Sequence, residues 1–297
     1  MAKVLIKSIG FIVVLGVVAA GSLLLWAGNM VDAKLDEPQT YAQLTPAELE
    51  GTPPGDIETG KHIVNSRNGC VDCHGSDLAG KTFIDDPAIG VISGSNLTPS
   101  AMGSKSDLEI IQSLRFGVNS ALKPLVFMPS HEFQHLSLHD MQSIVAYLRS
   151  IPSVERASAP IKLGPMAKIL FATGKVPTFI PAASGLIRRN HGFTEKPAEG
   201  ATPEYGAYLI KAGCAGCHGQ ELKGGPIPGA PPDWLPATNI AADSTAAKWT
   251  KEQFVTAMRE GKRPDGSIIS PPMPIPLTSQ LKEVELEAMW AYIHSAK

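Results

Sequence analysis

Cys70-Val71-Asp72-Cys73-His74 and Cys214-Ala215-Gly216-Cys217-His218 decide the reading of this 297-residue chain, because they contain all four of its cysteines. Each is a cysteine pair with two intervening residues and a histidine directly after it, the attachment pattern of c-type haem. The spacing has a chemical reason. Two thiols add across two vinyl groups on one edge of a porphyrin, and the adjoining histidine swings beneath the iron as its proximal ligand. Structural disulfides, a four-cysteine zinc site and a thioredoxin-like redox pair use similar cysteine spacing, but none requires a histidine after each pair. Histidine fills 8 of 297 positions, so both pairs would gain one by chance in roughly 0.1% of such sequences. Two covalently bound haem c groups are expected, held by Cys70, Cys73, His74, Cys214, Cys217 and His218.

The motifs open an internal repeat. Gly69 to Gly75 returns as Gly213 to Gly219 at an offset of 144, and Leu78 and Gly80 return as Leu222 and Gly224. Asn96-Leu97-Thr98 has a counterpart in Asn239-Ile240-Ala241, Arg115-Phe116-Gly117 in Arg259-Glu260-Gly261, and Met128-Pro129 in Met273-Pro274. Ala146-Tyr147-Leu148 returns as Ala291-Tyr292-Ile293. One offset of about 144 serves the whole set, which marks a duplicated domain.

Each unit reads as a short helical bundle. A helix leads into the haem motif (60–67; 204–212), a second covers 107–116 or 251–260, and a last one covers 138–149 or 282–295. On that last helix Met141, Ile144, Val145 and Leu148 share one face at helical spacing, as do Leu286, Met289, Trp290 and Ile293. Ser137-x-x-Asp140 ahead of the first resembles a capping box.

Nine methionines compete to be the sixth iron ligands. Met128 and Met273 lie at matched positions, each followed by proline in a proline-rich loop before the last helix. A proline-stiffened loop suits presenting a weak thioether from a fixed direction, and methionine–histidine ligation suits electron transfer. His131, His135 and His139 follow Met128 closely and are the alternatives at the first iron. Arg115 and Arg259 are candidate partners for haem propionates, since guanidinium forks match carboxylates. An exposed helical arginine is the equal alternative for each. Asn96, Asn239 and Trp249 are weaker candidates for the pocket wall.

Outward from the repeat, residues 1–32 form a separate element. Lys3 and Lys7 precede an uncharged run from Ser8 to Val31, and Asp32, Asp36 and Glu37 follow it. As a helix that run spans ~36 Å, enough for a ~30 Å hydrocarbon core. The lysine bias places the N-terminus in the cytoplasm and all that follows outside. A cleaved signal peptide, with Val31-Asp32-Ala33 as its cleavage site, is the rival and gives the same compartment. Residues 33–56 read as a loose stalk carrying Pro38, Pro46, Pro53 and Pro54. The expected units are 57–152 and 203–297. Residues 153–202 between them are too long for a structureless loop, and their apolar patches predict a linker draped over both units. A net charge of -2 with 18% charged residues offers nucleic acid no basic surface.

The haem motifs, the Asn-Leu-Thr loop, the Arg-x-Gly helix end, the Met-Pro loop and the Ala-Tyr-Leu final helix resemble class I cytochrome c modules. Their tandem arrangement is similar to the cytochrome subunits of membrane-bound alcohol, aldehyde and gluconate dehydrogenases. Those subunits usually carry three haem motifs and a C-terminal anchor, against two motifs and an N-terminal apolar run here. The resemblance implies an all-α fold of two tandem cytochrome c domains, which here follow the one transmembrane helix read from the N-terminal apolar run. It also implies His74, Met128, His218 and Met273 as iron ligands. The expected function is electron transfer on the periplasmic face, with no catalytic residues. The expected partners are the membrane and a dehydrogenase, quinol-oxidising complex, terminal oxidase or soluble cytochrome. A dihaem enzyme, peroxidase-like or acting on a small substrate, is the alternative and would need an iron with an open site.

Overall fold

The structure, a computed structural model, describes residues 2–190, 192–228, 230 and 234–295, with only the backbone of residues 2–9. The side chains of Lys3 and Lys7, and residues 229, 231–233, 296 and 297 of the expected second unit, therefore lie outside the described part.

Helix α1 (Ala2–Asp36) carries the apolar run. The stretch Gly10–Ala42 is long and apolar enough to cross a membrane. Its large apolar side chains from Phe11 to Trp26 stand exposed, as a helix facing lipid requires and a core helix does not.

The first unit begins with α2 (Ile57–His62), capped by Asp56, whose carboxylate accepts from the Thr59 amide at 2.7 Å. The chain continues through a π-helical turn, Ile63–Arg67, into α3 (Cys70–His74). After a hairpin come α4 (Pro99–Met102), α5 (Asp107–Phe116), α6 (Ser130–Phe133) and α7 (Leu138–Ser150). Ser106 and Glu109 close a capping box on α5, and Gly117 ends it at φ 68, a conformation that favours glycine. On α7, Met141, Ile144, Val145 and Leu148 are all buried, so the expected face is the core face.

Past α8 (Pro165–Ala172) the second unit repeats the plan with α9 (Pro203–Gly213), α10 (Ala215–His218), α11 (Lys251–Glu260), α12 (Ile275–Thr278) and α13 (Glu283–Ser295). Thr250 and Gln253 cap α11 as a box, and Gly261 ends it at φ 65, matching α5. In both units the first helix crosses the last at a glycine. A β-carbon on Gly60 would run into the Ser143 carbonyl of α7, and one on Gly206 into the Ala288 carbonyl of α13. Backbone cannot move aside as a side chain does. Gly206→Ala is therefore expected to cost about 3 kcal/mol or more in urea unfolding, and a loss within ~0.5 kcal/mol, the scatter of neutral surface changes, would refute the crossing.

Three expectations need correction. The fold is largely helical rather than purely so, because β1 (Lys81–Asp86), β2 (Gly90–Gly94) and β3 (Lys162–Leu163) form a three-stranded antiparallel sheet in that order. Asp86 closes the hairpin by accepting from the amides of Ala88 and Ile89, both at 2.8 Å. The expected stalk is not loose. Ala42 and Leu44 are buried in the first unit's core, and the Leu44 amide donates to Gln112 Oε1 at 2.9 Å. Enough apolar residues sit between its prolines to seat it. The leading helix of the first unit is not regular either. Two more residues separate Gly60 from Cys70 than separate Gly206 from Cys214, and the π turn takes up inserted residues without ending the helix.

The linker packs mainly on the first unit and on α1. Phe179 and Ile180 are buried beside Val31, and Ile187 joins the first unit's core. Near the second unit, Lys196 shares Asp140 with Tyr208 of α9.

Candidate haem sites

Each motif forms a single helical turn, the first entered and both left through glycine in left-handed backbone. Gly69 ahead of α3 has φ 56, and Gly75 and Gly219 behind the two histidines have φ 82 and φ 79. The two histidines are held alike. His74 Nδ1 lies 2.7 Å from the Ser95 carbonyl, and His218 Nδ1 lies 2.8 Å from the Thr238 carbonyl. A carbonyl only accepts, so Nδ1 carries the proton and Nε2 presents its lone pair, the state a metal-ligating histidine needs. Burial pushes both imidazoles below their usual range, against the carbonyl bond. They stay neutral near pH 7.

Ser95 and Thr238 were missed in the sequence. Their backbone oxygens do the work, so residue type carries no signal. The available signal was the repeated asparagine directly after each. Asn96 Oδ1 accepts from the Thr98 amide, and Asn239 Oδ1 from the Ala241 amide, both at 2.8 Å. These turns hold the preceding carbonyl in place. Asn96 also ties the chain after α7 through Val154 O and Arg156 O, both at 2.9 Å. Both asparagines thus shape the loop instead of lining a pocket with free amides. Trp249 contributes its carbonyl to the Trp290 indole at 3.4 Å.

The thiols are un-ionised. Burial pushes Cys70 up to about 12, Cys73 to about 11 and Cys214 to about 12, and raises Cys217 as well. Reactive redox cysteines have depressed values, so this environment does not suit a thioredoxin-like pair.

Met128 and Met273 are both half-buried against the cores of their units. The turn behind each is the same. Pro129 has φ -79, ψ 50 and Pro274 has φ -84, ψ 67, while the next amide returns to the methionine carbonyl at 2.8 Å (Ser130) or 2.9 Å (Ile275). That is an inverse γ-turn with proline supplying its φ. Among the competing histidines, His135 Nδ1 is 3.2 Å from the Arg188 guanidinium, and His139 sits in the first turn of α7. His131 has a buried Nδ1 with no partner among the described residues.

The two arginines diverge. Arg115 is fully buried, with one donor nitrogen reaching Asn190 O at 3.1 Å and Gly192 O at 3.4 Å. Among the described residues its Nε and Nη1 have no partner, and burial with the nearby Arg188 charge lowers it to about 10. A buried guanidinium with two idle donors fits an anion such as a haem propionate. Arg259 is partly exposed and already bonded to Ser279 O at 2.5 Å and Glu283 at 3.4 Å. It ties α11 to the start of α13, so the propionate expectation stands better at Arg115.

The units meet with an approximate twofold relation around these motifs. Leu277 of α12 lies on Gly69, and Glu132 of α6, its repeat counterpart, lies on Gly216. The Glu132 carboxyl is pushed up to about 7 by burial. Asn68 reaches across to Ala212 O at 2.7 Å. Each haem motif is thus covered by the helix following the other unit's Met-Pro turn.

A buried polar cluster fills the same seam. Arg67 pairs with Asp140 at 2.8 Å and approaches Glu285 at 3.7 Å. Tyr208 donates to Asp140 at 2.7 Å and accepts from the Ser137 amide at 2.9 Å. His62 Nε2 lies 2.7 Å from Glu285. Asp140, expected as the second half of a capping box, instead sends its carboxylate to Arg67, Tyr208 and Lys196.

Comparison with known proteins agrees with this geometry. The family model for cytochrome c matches residues 57–152 and again 203–297. The chain belongs to the cytochrome c family. Cytochrome c domains carry covalently bound haem c, and the paired thiols, the neutral histidines and the idle Arg115 donors fit that group. Among the relatives, an alcohol dehydrogenase (quinone) cytochrome c subunit of Gluconacetobacter polyoxogenes is 34% identical over 128 residues, 40% of this chain and 27% of that protein. A fructose dehydrogenase cytochrome subunit of Gluconobacter japonicus is 38% identical over 96 residues, 30% of this chain and 20% of that one. A gluconate 2-dehydrogenase cytochrome c subunit of Pantoea cypripedii is 31% identical over 102 residues, covering 32% and 23%. The matches span about a quarter of the relatives' length. This cytochrome c chain is thus similar to dehydrogenase cytochrome subunits through part of their length.

Proposed function

We propose that this cytochrome c is a membrane-anchored dihaem electron carrier acting on the periplasmic face, within a dehydrogenase or respiratory complex. The observation that carries the reading is the matched pair of histidines, each turned by a backbone carbonyl so that Nε2 is left to an iron. His74 and Met128 hold one iron, and His218 and Met273 the other. Cys70, Cys73, Cys214 and Cys217 attach the porphyrins, and Arg115 takes a propionate. Bound haem supplies a one-electron couple. The chain's own residues would hold each iron from both sides, His74 with Met128 and His218 with Met273, and would leave no open site for substrate.

Several observations support the rest. The exposed apolar face of α1 suits a retained anchor; a signal sequence shares its composition and would reach the same compartment. The close seam favours electron passage between the two haems. The names of the relatives favour a dehydrogenase as partner; a quinol-oxidising complex, a terminal oxidase or a soluble cytochrome would use the same chemistry.

The test is haem stoichiometry by pyridine haemochrome and intact mass. Two covalent haems per chain are expected, and one in the C70S/C73S variant. A single haem in the parent protein would overturn the dihaem reading. Rapid carbon monoxide binding to the reduced protein at either haem would favour the haem enzyme instead.

A further inference from the structure

α8 (Pro165–Ala172), an apolar helix with one lysine, lies outside both haem units. α8 turns Ala167 and Phe171, one helical turn apart, onto the last turns of α1. There they share a buried cluster with Val31, against which Met30 and Leu35 pack. Lys168 fastens the contact through Asp32 of α1 at 2.8 Å. Helical spacing places Met166, Ile169 and Thr173 together on another face. Met166 is 46% exposed, and Ile161 just ahead of the helix is 39% exposed. Lys162 and Lys175, both exposed, bracket the segment.

The depth of this helix follows from α1. Trp26 stands 50% exposed near the end of the apolar run, and tryptophan there marks the headgroup level. Val31, which α8 covers, comes five residues later, roughly 7–8 Å along the axis. Headgroup layers are about 5–7 Å deep on each side of the hydrocarbon, and interfacial helices bury their apolar face to about 5–10 Å. The contact between α1 and α8 therefore sits at the outer edge of the headgroup layer, where the exposed Met166 and Ile161 are within reach of lipid headgroups.

Its attachment to the first haem unit is direct. β3 runs into α8, and Leu163 of β3 pairs with Gly90 of β2. At the other end of β2, Gly94 is so close to the motif that a β-carbon would strike the Cys73 carbonyl. We propose that α8, with Ile161, is a membrane-surface helix seated among lipid headgroups, and that through β3 and β2 it holds the first haem motif at a fixed height above the bilayer.

The inference rests on α1 being a retained span, and the test separates the two. A benzophenone amino acid replaces Leu15, Met166 or Ile268 in the full-length holoprotein. Each variant is placed in nanodiscs of phosphatidylethanolamine and phosphatidylglycerol, irradiated, and read for lipid adducts by mass spectrometry. Adducts at positions 15 and 166 several-fold above those at 268, an exposed position on the second unit, are expected. Adducts at 15 with only background at 166 would overturn the seating of α8 and leave the span intact. Background at both would overturn the span, and the seating with it.

Discussion

Replacing Met273 with histidine is expected to lower the midpoint potential of the second haem by about 0.3 V, well inside the ~0.8 V range that axial ligands command, and to leave the first unchanged. A thioether is a weak donor that favours the ferrous ion. An imidazole donates more strongly and favours the ferric one. Met128→His should do the same to the first haem alone. The expectation rests on the two inverse γ-turns, which give each methionine the same backbone exit although the surrounding loops differ. Spectroelectrochemical titration reads the two couples separately. An unchanged second wave in M273H would remove Met273 as a ligand. At the first haem, M128A and H131A together decide between the methionine and the histidine with the idle Nδ1. The true ligand's loss shifts the wave, and the other's does not.

What could be read from the sequence was what the haem imposes locally. Two motifs, a repeat and two amphipathic faces predict the three main helices of each unit, down to Asp107–Phe116 and Lys251–Glu260, but not the short α4, α6, α8 and α12. What escaped depends on partners distant in the chain or on backbone atoms. The Ser95 and Thr238 carbonyls could be any residue's. The sheet joins 81–94 to a strand near residue 162, and its two-residue third strand has no pattern of its own. Asp140 has the right spacing for a cap, and no local rule announces that its carboxylate goes to an arginine 73 residues earlier. The stalk's prolines outweighed Tyr41, Ala42, Leu44 and Leu49, which become visible as core only once the first unit is folded beneath them.

The seam supplies the second large effect. Arg67→Met should destabilise the holoprotein by about 3–5 kcal/mol, since removing one partner of a buried pair leaves the other charge without compensation. Asp140 and Glu285 are 0% and 1% exposed. Lys196 still reaches Asp140 at 3.0 Å and His62 still reaches Glu285 at 2.7 Å, which keeps the loss from running higher. The pH dependence has a definite sign. Burial alone would raise the Asp140 carboxyl, but Arg67 and Lys196 overcome it and hold the group below its usual value of 3.8. A carboxyl depressed in the folded state adds stability that is complete above the unfolded value and is lost as pH falls through the folded one. The parent protein should thus keep this contribution down to about pH 4 and lose it below. In R67M much of it is absent at every pH, and acid unfolding begins at a higher pH. Urea unfolding at pH 7 and an acid titration, both followed by the Soret band, measure the two effects. Equal stability within ~0.5 kcal/mol, the size of a neutral surface change, together with an unmoved acid midpoint, would mean the seam's charges do not hold the two haem units together.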